Sequence, residues 1–246
     1  MDTIESRVAA VRERIAAAAR RAGRSEAEIR LVGVTKTHPA EAIAAALAAG
    51  VSEFGENRVQ EAEAKIAALS HLRDRITWHL IGHLQSNKAK RAAGLFDLIH
   101  SVDSLKIAEH LNRHVAARAP EPGAAPCDVL LQVNVSGEES KEGFALAGWE
   151  ERPAVLESFA AEVAAIVALP HLRVRGLMTI APWGPSAELA RPTFRSARRL
   201  RDELARRFPH VDWEHLSMGM TDDFEVAVEE GATIVRVGRA LFGERA

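Results

Sequence analysis

Apolar and polar positions follow two different periods along this chain. Over the first twenty residues Ile4, Val8, Val11 and Ile15 recur at the spacing of one helical face. After that opening helix, short apolar and β-branched runs occur at about 30–36, 53–57, 77–82, 98–103, 127–134, 174–181, 215–220 and 233–238. Alanine-rich or amphipathic helical stretches separate them, among them Pro39–Ala49, Arg58–Leu69 and Ser104–Ala117. Eight strands alternating with helices predict a wholly parallel sheet, and eight is the number that closes a (β/α)8, or TIM, barrel. A doubly wound open sheet is the alternative, but the first strand runs into GVTKTHP, where a Gly-rich dinucleotide fingerprint would stand. The Pro-containing stretches APEPGAAP (119–126) and GPSAELARP (184–192) read as surface connections, because strand–helix alternation continues through both. The expectation is one domain over residues 1–246.

Composition narrows the class. The 246 residues are 47% hydrophobic and 27% charged, with a formal charge of −2, which suits a chain that buries a sizeable core. That balance argues against a nucleic-acid partner, whose affinity rests on Lys and Arg neutralising phosphates. The densest basic stretch, Arg191 to Arg207, carries an apolar stripe of Phe194, Ala197, Leu200, Leu204 and Phe208, and reads as a solvated helix face. The single cysteine, Cys127, excludes an intrachain disulfide, fits a reducing compartment and starts a strand-like run as a structural thiol. No apolar run approaches the ~20 residues needed to span a bilayer. Asp2, Glu5 and Glu13 in the opening helix count against a transit peptide, so the expected place is the cytoplasm, with no membrane partner.

In a barrel of this kind the chemistry sits at the C-terminal ends of the strands. Lys36 ends the run RLVGVTK, and if Val32, Val34 and Lys36 share the inward face, its ammonium points into the barrel mouth. An amine short of hydration there can form a Schiff base with an aldehyde, although a lysine at a strand end can also simply reach solvent. Barrel closure sets TIVRVG of the last strand beside VGVTK of the first. Arg236 and Gly238 then share a face, and a buried arginine needs an anionic or acceptor partner. Past Gly238 comes the short helix-like RALFG, and the seventh strand ends in SMGMTDDFEVAV, where Gly219 and Thr221 offer further donors. Loops after the seventh and eighth strands are where such barrels bind phosphate, and plain capping by Thr221 or Asp222 is compatible with that. A lysine for an aldehyde, an arginine for a ring nitrogen and a phosphate nest together suit pyridoxal 5'-phosphate (PLP).

The stretches LVGVTKTHP, FGENRVQEA, WHLIGHLQSNK, SVDSLKIAEHLN, LQVNVSGEESKEG, VRGLMTI and LSMGMTDDFEVAVEEGATIVRVGRALFG cover almost the whole chain, and in them it resembles the pyridoxal phosphate homeostasis protein family. The resemblance implies a barrel like the N-terminal barrel of alanine racemase (PLP fold type III), with an extra N-terminal helix. It also implies that Lys36 carries PLP and that Arg236 faces the pyridine nitrogen. Ser217, Gly219, Thr221, Gly238 and Arg239 correspond to the phosphate site, and Asn57 and Met178 to neighbours of the ring. Arg58 departs from the family pattern, where a tyrosine is commoner. The implied role is intracellular PLP (vitamin B6) homeostasis without established turnover, as a monomer, with apo-PLP enzymes as recipients.

Two rivals use the same lysine: a PLP racemase or lyase, and a Schiff-base aldolase without cofactor. The chain contains no tyrosine, which such racemases use as one of two bases. Metal binding is not expected. His79 and His83 straddle a strand end, and His110 and His114 lack the glutamate of the zinc-protease motif. The pair Asp222 and Asp223 reads as serving a helix dipole.

Overall fold

The structure, a computed structural model, describes residues 3–118 and 125–243. Helix α1 (Ile4–Arg21) opens on a reciprocal cap in which Thr3 and Ser6 each satisfy the other's backbone. Eighteen elements follow in the order α1, β1 (Arg30–Val34), α2 (Ala40–Ala48), β2 (Glu53–Glu56), α3 (Val59–Ala68), β3 (Thr77–Leu80), α4 (Ala89–Ala92), β4 (Leu98–Val102), α5 (Leu105–Arg118), β5 (Cys127–Asn134), β6 (Phe144–Ala145), α6 (Pro153–Val167), β7 (Leu172–Met178), α7 (Arg191–Arg207), β8 (His215–Ser217), α8 (Phe224–Glu229), β9 (Ile234–Val237) and α9 (Arg239–Phe242). Every strand pair is parallel, and because β4 pairs β5 while β1 pairs β9, eight of the nine strands close into a ring. The expected barrel and its extra N-terminal helix are both present.

Two cores hold the ring. The larger lies between strands and helices and takes Leu31, Phe54, Val235 and Val237 from the outward strand faces, with Ile43, Phe194 and Phe224 from the helices. The smaller lies inside the ring and consists of Val32, Leu98, Leu130, Met178 and Ile234. Alternation along β1 and β9 follows from the pleat: Val32 and Ile234 go in while Leu31 and Val235 go out. Helix α1 turns Val8, Val11, Ile15, Ala18 and Ala19 inward and packs on α8 and α9, beside the seam where the first and last strands meet.

The predicted strands are all found, with differences at their ends. β1 stops at Val34, so Lys36 stands in a turn beyond the strand, where Thr37 takes a left-handed φ of 68°. β6, a two-residue strand on β5, was not expected, because two residues produce no periodicity. The stretch 184–192 contains a short 3-10 turn and the first residues of α7, while 119–124 of the other expected connection lie outside the described residues. Capping of α8 differs from expectation. Asp223 is the cap residue, and its carboxylate accepts the Met220 N–H at 2.6 Å.

Candidate functional site

At the C-terminal mouth of the ring lies a cavity of about 440 Å³. Six of the nine residues singled out from the sequence line it: Lys36, Asn57, Thr221, Arg236, Gly238 and Arg239. The other three sit beneath or behind the wall. Met178 belongs to the interior apolar cluster. Ser217 is fully buried below Arg236. Gly219 holds the turn after β8 at φ 93°, and a Cβ there would lie 2.6 Å from the Ala227 Cβ. Period-two alternation gives the face a residue occupies but not its depth in the barrel, so these layers were not legible in advance.

Register explains the gathering. Arg236 stands opposite Val32 on β1, so Gly238 and Lys36, each beyond its strand, reach the same rim. Burial pulls the Arg236 guanidinium down to about 10, with Asp223 acting in the opposite sense, so it stays charged at neutral pH. It is held by Nη1 donating to Ser217 Oγ at 2.6 Å and Nη2 donating to the Thr179 carbonyl at 2.9 Å. The remainder of the guanidinium borders the cavity. Beyond β2, Asn57 also lines the cavity, and its Oδ1 is buried with no hydrogen-bond partner among the described residues. Arg239 pairs with Asp222, which ties the loop after β9 to the loop after β8.

Beneath Arg236 a polar chain descends through the ring. Ser217 Oγ lies 2.9 Å from His100 Nδ1, and His100 Nε2 lies 2.9 Å from His79 Nδ1. His79 Nε2 lies 3.1 Å from Glu53 Oε2, a close approach too bent for a straight hydrogen bond. Glu53 in turn pairs with Arg30 at 2.9 Å. Burial lowers both imidazoles below the usual histidine range, His100 the further, so both are neutral. With an arginine donating at the top and a carboxylate at the bottom, one polarity satisfies every link. Ser217 donates to His100, His100 Nε2–H donates to His79, and His79 Nε2–H faces Glu53. The chain therefore runs from cation to anion and fixes the pitch of Arg236. From the sequence His79 was weighed only as a metal ligand beside His83 and His100 was not named, because a histidine inside a short strand gives no sign of which face it takes.

Val34, expected on the inward face, and Asp222, expected as a cap, also line the cavity, as do Ile180 and Met220 near their strand ends; His38, Ile81, Trp183 and Gly243 were not named from the sequence. Trp183 is 84% exposed although it borders the cavity. His83 lies on the surface 3.0 Å from Asp103 Oδ2 and 3.9 Å from Glu142 Oε2. His110 Nδ1 accepts from Arg113 Nη2 at 3.2 Å. Burial pushes the Cys127 thiol up to about 12, so it is not a nucleophile at neutral pH. No helix among the described residues is long and apolar enough to cross a membrane.

Known proteins resemble this chain in sequence and in fold. Residues 7–246 match the family model described as alanine racemase, N-terminal domain. The chain is 44% identical over its whole length to the pyridoxal phosphate homeostasis protein of Escherichia coli K12, covering 98% of that protein. It is 46% identical to the protein of that name from Aquifex aeolicus, covering 97% of each. Among solved structures, PipY of Synechococcus elongatus with PLP bound superposes with a TM-score of 0.81 at 40% identity, covering 98% of this chain and 100% of that one. The alanine racemase of Streptomyces coelicolor, at 21% identity and a TM-score of 0.67, shares the fold over 58% of its own length.

Proposed function

The chain belongs to the pyridoxal phosphate homeostasis protein family, and from that premise we propose that it holds PLP as a Schiff base on Lys36 and keeps the cellular supply of this aldehyde in balance without turning over an amino acid. One observation carries the proposal: a lysine and a buried, fixed arginine border one cavity that the loops after β8 and β9 also line. A volume of about 440 Å³ suits a ligand of cofactor size. The buried, unpartnered Asn57 Oδ1 at the cavity supports a polar ligand there.

PLP, when bound, supplies an aldehyde and an electron-accepting ring. Lys36 would hold that aldehyde through its amine, with the aldehyde oxygen released as water. Arg236 offers N–H donors only, so it would meet the ring nitrogen as an acceptor and would not supply it a proton. Thr221, Gly238 and Arg239 take the phosphate side, Gly238 by presenting backbone without a side chain. Ser217 serves through Arg236, Gly219 by shaping the turn, and Met178 as the apolar floor below. Asn57 packs beside the ring. A monomer in the cytoplasm, with apo-PLP enzymes as recipients, completes the reading.

The test is the absorption spectrum before and after borohydride, followed by peptide mapping. A visible band that borohydride bleaches, with the pyridoxyl group on the peptide holding Lys36, is expected. Lys36→Ala removes the band while phosphate contacts leave weaker, noncovalent binding. A label on Lys88 or Lys141, or a colourless protein that never takes up PLP, would overturn the assignment.

A further inference from the structure

Lys36 stands between two peptide units that are both tied to one buried network. The Lys65 ammonium, on α3, donates to the Thr35 carbonyl, to Glu56 Oε1 and to Glu61 Oε1, each at 2.7 Å. Its three protons therefore meet three acceptors. Thr35 Oγ1 donates to the same Glu56 oxygen at 2.5 Å, and the Thr37 N–H donates to Glu61 Oε1 at 2.6 Å. The Glu56 side chain is fully buried, and that of Lys65 is 9% exposed. The residue before Lys36 is thus fixed by its carbonyl and hydroxyl, and the residue after it by its amide.

Thr37 shows why this bracket is needed. It is the one non-glycine residue with positive φ among the described residues, at 68°, and a β-branched side chain disfavours that region strongly. The turn places Lys36 and His38 at the cavity and leaves Thr37 exposed. A relaxed turn would swing residue 36 off the rim, because its φ and ψ lie between two peptides that would then be free.

We propose that Glu61 and Lys65 are positioning residues for Lys36: they clamp Thr35 and Thr37 so that the strained turn aims the Lys36 amine at the aldehyde of the bound cofactor. The inference rests on the reading of Lys36 as the PLP amine. Lys65, the other lysine close by, is a brace and not a second site, since its protons are engaged by the network.

The readouts are the rate at which PLP forms the borohydride-reducible bond to Lys36 and the visible circular dichroism of that band, which reports how firmly the ring is oriented. Glu61→Ala removes the acceptor for Thr37 N–H while leaving Lys65 on Glu56 and Thr35. It should slow bond formation by roughly 10- to 100-fold and weaken the dichroic band. Glu61→Gln keeps an acceptor oxygen and should stay close to the parent. Thr37→Gly added to Glu61→Ala should restore much of the rate, because glycine takes a positive φ without strain. Thr37→Pro lacks the amide proton and cannot adopt that φ, so it should reproduce the loss even if Glu61→Ala does not fold. Parental rate and dichroism in Glu61→Ala or in Thr37→Pro would overturn the bracket, as would a glycine double variant no faster than Glu61→Ala. A parent protein without label on Lys36 would instead sink the PLP reading and this inference with it.

Discussion

Two glycines in the two loops facing the cavity should respond oppositely to the same substitution. Gly219 has φ 93°, and a Cβ there would meet the Ala227 Cβ at 2.6 Å and the Phe224 Cα at 2.9 Å. Gly238 has φ −110°, and its nearest neighbours would lie at 3.5 Å, an ordinary contact with Val34. For Gly219→Ala the left-handed backbone costs about 1–2 kcal/mol. Overpacking against α8 adds about 1–3 kcal/mol. With an unfolding entropy of ~2.1 cal/mol/K per residue, a total of ~2–5 kcal/mol lowers Tm by about 4–10 °C. Gly238→Ala should stay within about 0.5 kcal/mol of the parent. Yet Gly238 lines the cavity, so Gly238→Ala, and Gly238→Val more so, should weaken PLP by about tenfold or more, a loss of ~1.4 kcal/mol. The assay is thermal unfolding without PLP, paired with a PLP titration followed by absorbance. Equal destabilisation by the two alanines would refute the backbone geometry, and parental PLP affinity in Gly238→Val would refute the role given to that wall.

Three further outcomes follow from the chain beneath Arg236 and from its charge. Ser217→Ala strands a buried guanidinium proton and His100 Nδ1, and should cost ~2–3 kcal/mol in urea unfolding; a loss under ~0.5 kcal/mol would mean the chain is not joined there. His79 and His100 are held neutral in the fold, so the unfolded chain binds more protons below ~6.5, and stability should fall as pH drops from there towards their folded values, by up to ~1.4 kcal/mol per pH unit for each. His100→Asn should lower that slope by one proton, and an unchanged slope between pH 6.5 and 5.5 would contradict the burial argument. Finally, Arg236 should disfavour carbanion chemistry, so incubation with L-alanine in deuterated water should give α-deuterium at no more than the pace of free PLP; incorporation at roughly 1–1000 per second would make the protein an enzyme.

Much of the fold was legible because each strand announces itself as a short apolar run between helical stretches. The pairing of the last strand with the first followed from closure alone, and it placed Arg236 and Gly238 near Lys36. What escaped depends on depth and on local strain. Met178 and Ser217 are buried beside the cavity and do not line it, and periodicity has no coordinate for that depth. Lys65 reads in sequence as one polar position on an amphipathic helix, whereas its meaning comes from Thr35 and Glu56, which only the packing of α3 on the turn brings to it. Thr37 carries no signal of its left-handed backbone, since threonine is among the residues least expected there.

The seam between β1 and β9 has a consequence for the time course of synthesis. Lys36 leaves the ribosome about 200 residues before Arg236, which at 5–20 residues per second is a delay of roughly 10–40 s. During that interval the amine exists without the arginine or the loop after β9. The nascent chain can meet the aldehyde only as any exposed lysine would, and selective capture begins when the last strand docks. On the proposed role of Lys36, PLP would act on the finished ring and not on its assembly, drawing the final closure forward insofar as it binds the closed ring and not the open one.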